Sequence, residues 1–239
     1  MLGLVEEVFR NFLVWIYVIL TVPTFGTMAL IIRRRFWARW WCKGLLRVLG
    51  IKLEVSFEKP LPKGQYVFMA NHQSQLDIPV LEKALEDYDI RFLAKKSLFQ
   101  IPFFGWGIKA LGYIPIERED PRKGLKSIMM CVERLKKGYS LVVFPEGTRS
   151  PTGELLPFKT GGFLIPIKAG IDIVPVSILG TRDILPKGSL WFRLRHGKRV
   201  RVFVSEPIKI KALDRKNKKE LAQITREKVE RGLELLRRG

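Results

Sequence analysis

Short apolar runs alternate with longer stretches of mixed polarity along most of the chain. The runs predict strands at Lys52–Phe57, Tyr66–Ala70, Ile90–Ala94, Tyr113–Ile116, Leu141–Phe144 and Ile173–Ile178. Between them, the pattern predicts helices at Pro79–Glu86, roughly Ser97–Leu111, Pro121–Lys137 and Gly161–Ala169. This alternation indicates an α/β fold with a mixed, largely parallel sheet flanked by helices.

Two further patterns lie near the C-terminus. Leu190–Leu194 and Val200–Val204 predict a hairpin, and His196 lies in its basic turn, where solvation is its simplest role. Lys216–Arg237 predicts a charged helix with one apolar stripe, which suits either packing on the sheet or lying against a membrane.

The stretch Asn11–Ile32 near the N-terminus carries no charged residue and is followed by three arginines at positions 33–35. It is long enough for a helix that spans a bilayer. However, Thr21–Gly26 combines proline, glycine and hydroxyl residues in the middle of the stretch. Because proline kinks or ends a helix, the sequence predicts a break there.

The segment after the arginines has two faces at helical spacing. One face is basic and the other is apolar with two tryptophans: Arg35, Arg39, Lys43 and Arg47 against Trp37, Trp41, Leu45 and Val48. Such a helix is typical of a membrane interface. We therefore expect residues 1–50 to form a two-helix motif in one leaflet, with a single kinked span as the alternative, and residues 51–239 to form the main domain. The positive flank predicts that this domain lies on the cytoplasmic face of the cell membrane.

The net charge of +20 is spread unevenly, because the basic excess lies in residues 1–50 and 187–239. The chain has no zinc-finger spacing and no RNA-binding aromatic motif, so we expect no nucleic acid partner. Anionic membrane lipid accounts for the same charge. The two cysteines, Cys42 and Cys131, lack metal-ligand spacing and predict neither a metal site nor a disulfide framework.

Asn71–Asp77 offers a base and a carboxylate. His72 and Asp77 are five positions apart, so they would point to different sides of a regular helix. The preceding apolar run and Pro79 instead predict that His72 lies on a strand-to-helix loop and Asp77 near the helix start, where their side chains can meet. A carboxylate that holds one imidazole nitrogen leaves the other to act as a general base. The alternative is a histidine that merely closes the turn.

Phe144–Ser150 follows another predicted buried strand, and ligands bind at the carboxyl ends of strands in open α/β sheets. Gly147 lets the backbone approach a ligand closely, and Arg149 can grip a phosphate with two hydrogen bonds. The alternative is a surface ion pair between Glu146 and Arg149. Together the two motifs indicate acyl transfer to a hydroxyl of a phosphate-bearing acceptor.

These residues resemble the glycerolipid acyltransferase family. Its motif N-H-x-S-x-x-D is matched within Asn71–Asp77, and F-P-E-G-T-R-S is matched at every position of Phe144–Ser150. Gly112–Arg118 resembles a further motif that ends in arginine, with departures at Pro115 and Glu117, and Ile173–Ser177 resembles an apolar one. The resemblance covers about residues 50 to 205.

The resemblance implies transfer of an acyl group from a thioester to the free sn-2 hydroxyl of 1-acyl-glycerol 3-phosphate (lysophosphatidate). His72 would be the general base and Asp77 its partner. The implied substrate-binding residues are Arg118, Glu146, Gly147, Thr148 and Arg149, with Lys95 as a weaker candidate. No cofactor is implied, only acyl-CoA or acyl-acyl carrier protein as co-substrate. Glycerol 3-phosphate or another lysophospholipid remains an alternative acceptor, and a non-catalytic anionic-lipid binder an alternative class.

Overall fold

The apolar runs form the strands of a central sheet in the computed structural model, which describes residues 2–32, 36–117, 121–194, 198–210 and 217–239. The strands are β1 (Lys52–Phe57), β2 (Val67–Ala70), β3 (Ile90–Lys95), β4 (Ile114–Ile116), β5 (Ser140–Val143), β6 (Ile173–Leu179) and β7 (Arg199–Val204). The helices are α1 (Leu2–Ile32), α2 (Phe36–Val48), α3 (Asp77–Ala84), α4 (Phe104–Ala110), α5 (Pro121–Lys136), α6 (Leu164–Ala169), α7 (Thr181–Ile184) and α8 (Lys218–Arg238).

Within these described ranges the seven strands form one sheet in the order β1-β7-β6-β2-β5-β3-β4. Neighbouring strands are parallel except β6 and β7, which are antiparallel. The predicted mixed, largely parallel α/β sheet is therefore confirmed. Helices α1 to α4 cover one face, and α5, α6 and α8 cover the other.

Strand β2 shows how the sequence divides between the two faces. Phe68 and Ala70 pack into the core under the N-terminal helices, and Val67 and Met69 pack into the core under α5, α6 and α8. Successive residues of a strand point to opposite faces of the sheet. Because helices cover both faces, all four side chains are fully buried. A strand covered on both sides reads as a continuous apolar run, which is why β2 was predictable.

The predicted break in the first helix is wrong, because α1 continues through Pro23 to Ile32. The hydroxyls that suggested a break instead bond to carbonyls one turn earlier: Thr21 to Tyr17 at 2.5 Å, Thr24 to Leu20 at 3.3 Å and Thr27 to Pro23 at 2.9 Å. Such bonds are available to Ser and Thr inside helices and satisfy carbonyl oxygens locally. Helix α1 ends at Ile32 and α2 begins at Phe36, and Arg33–Arg35 lie outside the described residues.

Gly26 in α1 serves close packing rather than helix breaking. A Cβ atom there would lie 2.2 Å from the carbonyl oxygen of Phe103, so only glycine fits. Phe103 itself has a φ of 60°, a rare conformation for a bulky residue. This turn splits the predicted Ser97–Leu111 helix into a 3₁₀ turn at Lys96–Gln100 and the helix α4.

The N-terminal helices pack on each other and on the main domain. The Tyr17 hydroxyl donates to the Trp41 carbonyl at 2.9 Å, and the Trp41 indole donates to the Thr21 hydroxyl at 2.8 Å. Asn11, 1% exposed, donates to the Phe192 carbonyl and accepts from its N–H, both at 2.8 Å. Since Asn11 contacts residues beyond β6 and Gly26 contacts α4, the helix lies against the domain at both places. The boundary predicted at residue 50 stays a prediction.

The predicted hairpin is wrong, because residues 190–194 form no strand. β7 pairs instead with β1 in parallel and with β6 in antiparallel orientation. Phe192 and Leu194 are buried, and the backbone of Phe192 bonds to Asn11 of α1 rather than to a strand. The apolar alternation therefore reflects packing against α1. His196, which the hairpin placed in its turn, lies outside the described residues.

The predicted C-terminal helix is confirmed as α8, and it packs on the sheet. Its buried stripe is Leu221, Ala222, Thr225, Val229, Gly232, Leu233 and Leu236. The Ser177 hydroxyl of β6 donates to the Val229 carbonyl at 2.7 Å. A Cβ atom at Gly232 would lie 2.3 Å from the same hydroxyl oxygen, so this glycine permits the close approach of helix and sheet.

Candidate active site

The loops after β2, β5 and β6 meet at one edge of the sheet. These three strands are neighbours and run parallel, so their carboxyl ends lie side by side. His72 follows β2, the loop 144–150 follows β5, and Thr181 follows β6. Ligands of open α/β sheets bind at this edge.

His72 and Asp77 meet as the sequence predicts. His72 lies on the loop between β2 and α3, Asp77 is the first residue of α3, and His72 Nδ1 is 2.7 Å from Asp77 Oδ2. An ionised carboxylate only accepts hydrogen bonds, so this geometry requires the proton on Nδ1. Within the residues that the structure describes, the other nitrogen, Nε2, has no hydrogen-bond partner. The imidazole is thus arranged to accept a proton at Nε2.

The Asp77 carboxylate is fully buried, and both of its oxygens accept hydrogen bonds. Oδ2 also accepts the backbone N–H groups of Gln73 at 2.7 Å and Ser74 at 2.9 Å. Oδ1 accepts the hydroxyl of Thr181 at 2.5 Å. A buried charge is tolerated only when it is paired and hydrogen-bonded, and here four donors surround it. These contacts hold Oδ2 towards the imidazole.

Thr181 is a member of the site that sequence reasoning missed. It begins α7 directly after Gly180, whose φ is 98° and whose Cβ position would lie 2.5 Å from the Arg199 carbonyl oxygen. The glycine therefore allows the tight turn that delivers Thr181 to Asp77. The only sequence signal was a Gly-Thr pair after an apolar run, which is too common to indicate such a contact.

The loop after β5 contacts both the ring and the backbone of His72. The Phe144 ring stacks on the His72 imidazole with ring centroids 3.9 Å apart and an interplanar angle of 14°. Glu146 Oε1 accepts the backbone N–H of His72 at 2.6 Å, and the N–H of Ser150 donates to the His72 carbonyl at 2.7 Å. The two sequence motifs thus form one hydrogen-bonded unit.

Glu146 is buried, and burial raises the pKa of its carboxyl to about 7. The charge of Asp77 acts in the same direction, whereas the N–H groups of His72 and Leu156 and the charge of Arg226 act against it. Because the pKa is raised, the contribution of Glu146 to stability falls as pH increases from the ordinary glutamate range to about 7. Both carboxylate oxygens already accept backbone hydrogen bonds. Oε1 accepts the N–H of His72, and Oε2 accepts the N–H of Leu156 at 3.1 Å. A positioning role fits these contacts, and the expected substrate contact stays a prediction.

The remaining predicted residues border the same edge. Gly147 has a φ of 72°, which favours glycine, Thr148 is exposed, and Arg149 is half-buried. Lys95 is exposed at the end of β3, next to β5 in the sheet. Arg118 lies outside the described residues. Their substrate contacts stay predictions.

An apolar cavity of about 400 Å³ lies against the loop after β5. Its wall is mostly aliphatic and aromatic: Leu93, Ile116, Leu125, Ile128, Val143, Phe144, Leu164 and Ile165. Phe144 both lines the cavity and stacks on His72, so this one ring lies between the cavity and the imidazole. The apolar segment 99–111 contributes no residue to the wall of this cavity, and its Ile108 and Leu111 lie in the core beneath α1. In the described part of the chain no cluster of His, Cys, Asp or Glu could hold a metal ion.

Known proteins are similar to this chain in sequence and in fold. The profile of the family described as "Acyltransferase" matches residues 52–179. A 1-acyl-sn-glycerol-3-phosphate acyltransferase of Pseudomonas aeruginosa is 33% identical over 176 residues, which are 67% of this chain and 68% of that protein. The crystal structure of the 1-acyl-sn-glycerophosphate (LPA) acyltransferase PlsC from Thermotoga maritima matches with a TM-score of 0.81 and 29% identity over 98% of both chains.

A chloroplastic relative, the 1-acyl-sn-glycerol-3-phosphate acyltransferase BAT2 of Brassica napus, is 44% identical over 142 residues. The match covers 59% of this chain but only 40% of that protein, and 39% of a similar Arabidopsis thaliana protein. The chain thus spans about two fifths of the length of these plant relatives.

The mixed sheet and the histidine–aspartate pair define an α/β protein with a candidate general base at the carboxyl ends of its strands. More narrowly, the chain belongs to the acyltransferase family, whose profile covers more than half of it.

Thr181 offers a test of the bonded carboxylate. Thr181→Val keeps the shape but removes the donor to Asp77 Oδ1, so we expect kcat to fall about tenfold with KM unchanged, from loss of one charge-assisted hydrogen bond. Thr181→Ser keeps a hydroxyl and should restore most of the activity. Steady-state kinetics and thermal unfolding of both variants provide the measurement. Equal losses for serine and valine would contradict the role of the hydroxyl.

Proposed function

We propose that this protein acylates the free sn-2 hydroxyl of 1-acyl-glycerol 3-phosphate with an acyl thioester, giving phosphatidic acid in phospholipid biosynthesis. The observation that carries the proposal is the 2.7 Å contact between His72 Nδ1 and the buried Asp77 carboxylate. It supplies a general base at the edge of the sheet where a ligand binds. The names of the relatives supply the substrate class.

In the proposed reaction, His72 Nε2 accepts the proton of the acceptor hydroxyl while the hydroxyl oxygen attacks the thioester carbonyl carbon. The new ester C–O bond forms, the C–S bond breaks, and the leaving thiolate receives the proton from the imidazolium. Asp77 stabilises the imidazolium between these steps. A thioester is already activated, so a positioned hydroxyl and a base suffice. We expect no cofactor, and a donor carried by coenzyme A or acyl carrier protein.

The side chains near the site favour direct transfer over an acyl-enzyme. The Ser74 hydroxyl donates to the Leu185 carbonyl at 2.7 Å, and the Ser150 hydroxyl accepts the Gly153 N–H at 3.0 Å. Cys131 is buried, and burial raises the pKa of its thiol to about 12. A thiol in that state is a poor nucleophile.

The phosphate of the acceptor would be held by Arg149 and Arg118, with Lys95 as a weaker contributor and Gly147 and Thr148 around the glycerol. Arg149 lies in the loop that carries Glu146, and that loop is bonded to the backbone of His72. A guanidinium presents two parallel donors to a phosphate. This link would fix the distance between phosphate and base.

The 400 Å³ cavity suits an acyl chain. Its size is in the usual range for ligand pockets, about 300–1,000 Å³, and its wall is largely apolar. Burying each methylene group contributes about 0.8 kcal/mol. We expect an acyl chain held there to place its carbonyl near Phe144, the lining residue that stacks on His72.

We further propose that α1 and α2 seat the enzyme in one leaflet on the cytoplasmic face of the membrane. Within the described residues, one helix, Val5–Ile32, is long and apolar enough to cross a bilayer. However, Asn11 and Gly26 both contact the main domain, and they are about 22 Å apart along the helix. A helix that rests on the domain over that length cannot also cross the hydrocarbon core beside it. Exposed Phe9, Phe12 and Trp40 suit insertion into one leaflet.

The activity is tested with purified protein, a labelled acyl thioester and a panel of acceptors. We expect the highest kcat/KM with lysophosphatidate, and His72→Ala should lower the rate at least about 100-fold, the usual size of general-base help. Transfer mainly to glycerol 3-phosphate would identify that molecule, not lysophosphatidate, as the acceptor. Lipid binding without any transfer would support the non-catalytic alternative. The control is His196→Ala, which should keep wild-type activity.

Arg149 is tested by Arg149→Ala and Arg149→Lys. Loss of the guanidinium should raise KM for lysophosphatidate about tenfold or more, because charge-assisted hydrogen bonds are worth about 1.5–3 kcal/mol. Lysine should recover only part of this, since an ammonium cannot form the paired donors. If KM for the acceptor stayed at the wild-type value in both variants, Arg149 would not bind the phosphate.

A further inference from the structure

The segment after β6, residues 180–194, contacts both loops of the site. It bonds to the catalytic pair through Thr181 and to the His72 loop through the Leu185 carbonyl, which accepts the Ser74 hydroxyl at 2.7 Å. Lys187 then reaches the loop after β5, where its Nζ is 3.1 Å from the Thr148 hydroxyl. The segment ends on α1, where Phe192 bonds to Asn11.

The loop at the middle of this segment, Pro186–Trp191, is an ordered turn. The N–H of Ser189 donates to the Pro186 carbonyl at 3.1 Å, and the Ser189 hydroxyl accepts the N–H of Trp191 at 2.9 Å. Gly188 has a φ of 86°, which allows the reversal between Lys187 and the tip. Because the turn is held by its own hydrogen bonds, the positions of Lys187 and the tip are linked.

The tip of the loop exposes two large apolar side chains. Leu190 is 70% exposed and Trp191 44% exposed. They adjoin α1, where the Trp15 indole donates to the Leu190 carbonyl at 3.3 Å, and α1 itself exposes Phe9 and Phe12. The loop therefore extends the apolar surface of the helix, and contiguous surfaces of this kind mark interaction sites.

The charges around the tip select a bilayer as the partner. Lys187 and Arg193, on either side of Leu190 and Trp191, are both exposed. Basic residues beside an apolar tip match the anionic headgroups that lie above the acyl chains, and tryptophan favours that interface. An adjoining surface of α1 already has the composition of a one-leaflet helix.

We propose that the Pro186–Trp191 loop inserts its tip into the membrane and thereby holds Lys187 at the phosphate of a membrane-borne acceptor. The proposal rests on the proposed function for the acceptor's identity, but not for the lipid contact. The Lys187 ammonium lies beside Thr148, next to Arg149 in the chain, so it adds a cation to the same phosphate site. The phosphate of a lipid acceptor lies at headgroup depth, just above an inserted Leu190.

Lipid contact is measured without activity. Cys42 and Cys131 are buried, so Leu190→Cys labels selectively with an environment-sensitive fluorophore. The control is Leu235→Cys on α8, which is 42% exposed on the opposite face of the sheet. With vesicles containing phosphatidylglycerol, we expect a blue shift and quenching by brominated acyl chains at position 190 only. No response at 190, or an equal response at 235, would overturn the lipid contact.

Steady-state kinetics distinguish the role of the loop tip from the role of Lys187. The double change Leu190→Ser with Trp191→Ser should slow acylation of bilayer-borne lysophosphatidate about tenfold but leave a soluble short-chain lysophosphatidate nearly unaffected. Lys187→Gln should raise KM for both acceptors about tenfold with kcat unchanged. Leu235→Ser and Lys219→Gln on α8 are the matched controls.

Each kinetic outcome decides one part of the proposal. Unchanged KM in Lys187→Gln overturns the phosphate role, and equal losses on both acceptors in the double variant overturn the role of the tip. If the wild-type protein transfers to no acceptor, the proposed function fails, while the fluorescence result still decides the lipid contact.

Discussion

The buried carboxylate of Asp77 is the constraint on which the rest of the site depends. A fully buried charge is stable only when donors surround it, and the donors to this carboxylate at the start of α3 come from the His72 loop and from Thr181 after β6. These segments must therefore meet in the folded chain. Once they meet, the imidazole has one orientation. The loop after β5 then packs against His72, because Glu146 accepts its backbone N–H and the Phe144 ring stacks on its imidazole.

The order of the strands makes this meeting possible. β2 lies between β5 and β6, and all three are parallel, so three loops that are distant in sequence share one edge. The same arrangement places the apolar cavity against Phe144, which stacks on His72, and the segment after β6 against the Asp77 carboxylate. The proposed contacts with an acyl chain, a phosphate and a membrane surface thus all depend on one short stretch of sheet.

Local patterns predicted the elements that depend on local physics. The buried strands and the meeting of His72 with Asp77 follow from apolar runs and from turn-forming residues. The errors arose where distant contacts decide: Gly26 reflects the approach of Phe103, and residues 190–194 alternate because they pack on α1. Thr181 left no signal because its role depends on a tertiary hydrogen bond.

The central claim, that buried Asp77 holds His72 with its proton on Nδ1, is open to direct measurement. The chain has only two histidines, so ¹⁵N-histidine labelling yields two imidazoles, and His196→Gln assigns them. In the neutral imidazole of His72, we predict a protonated Nδ1 and an unprotonated Nε2, with the Nδ1 proton shifted far downfield by the bond to Asp77. An imidazole with its proton on Nε2, or one that exchanges freely between tautomers, would contradict the account.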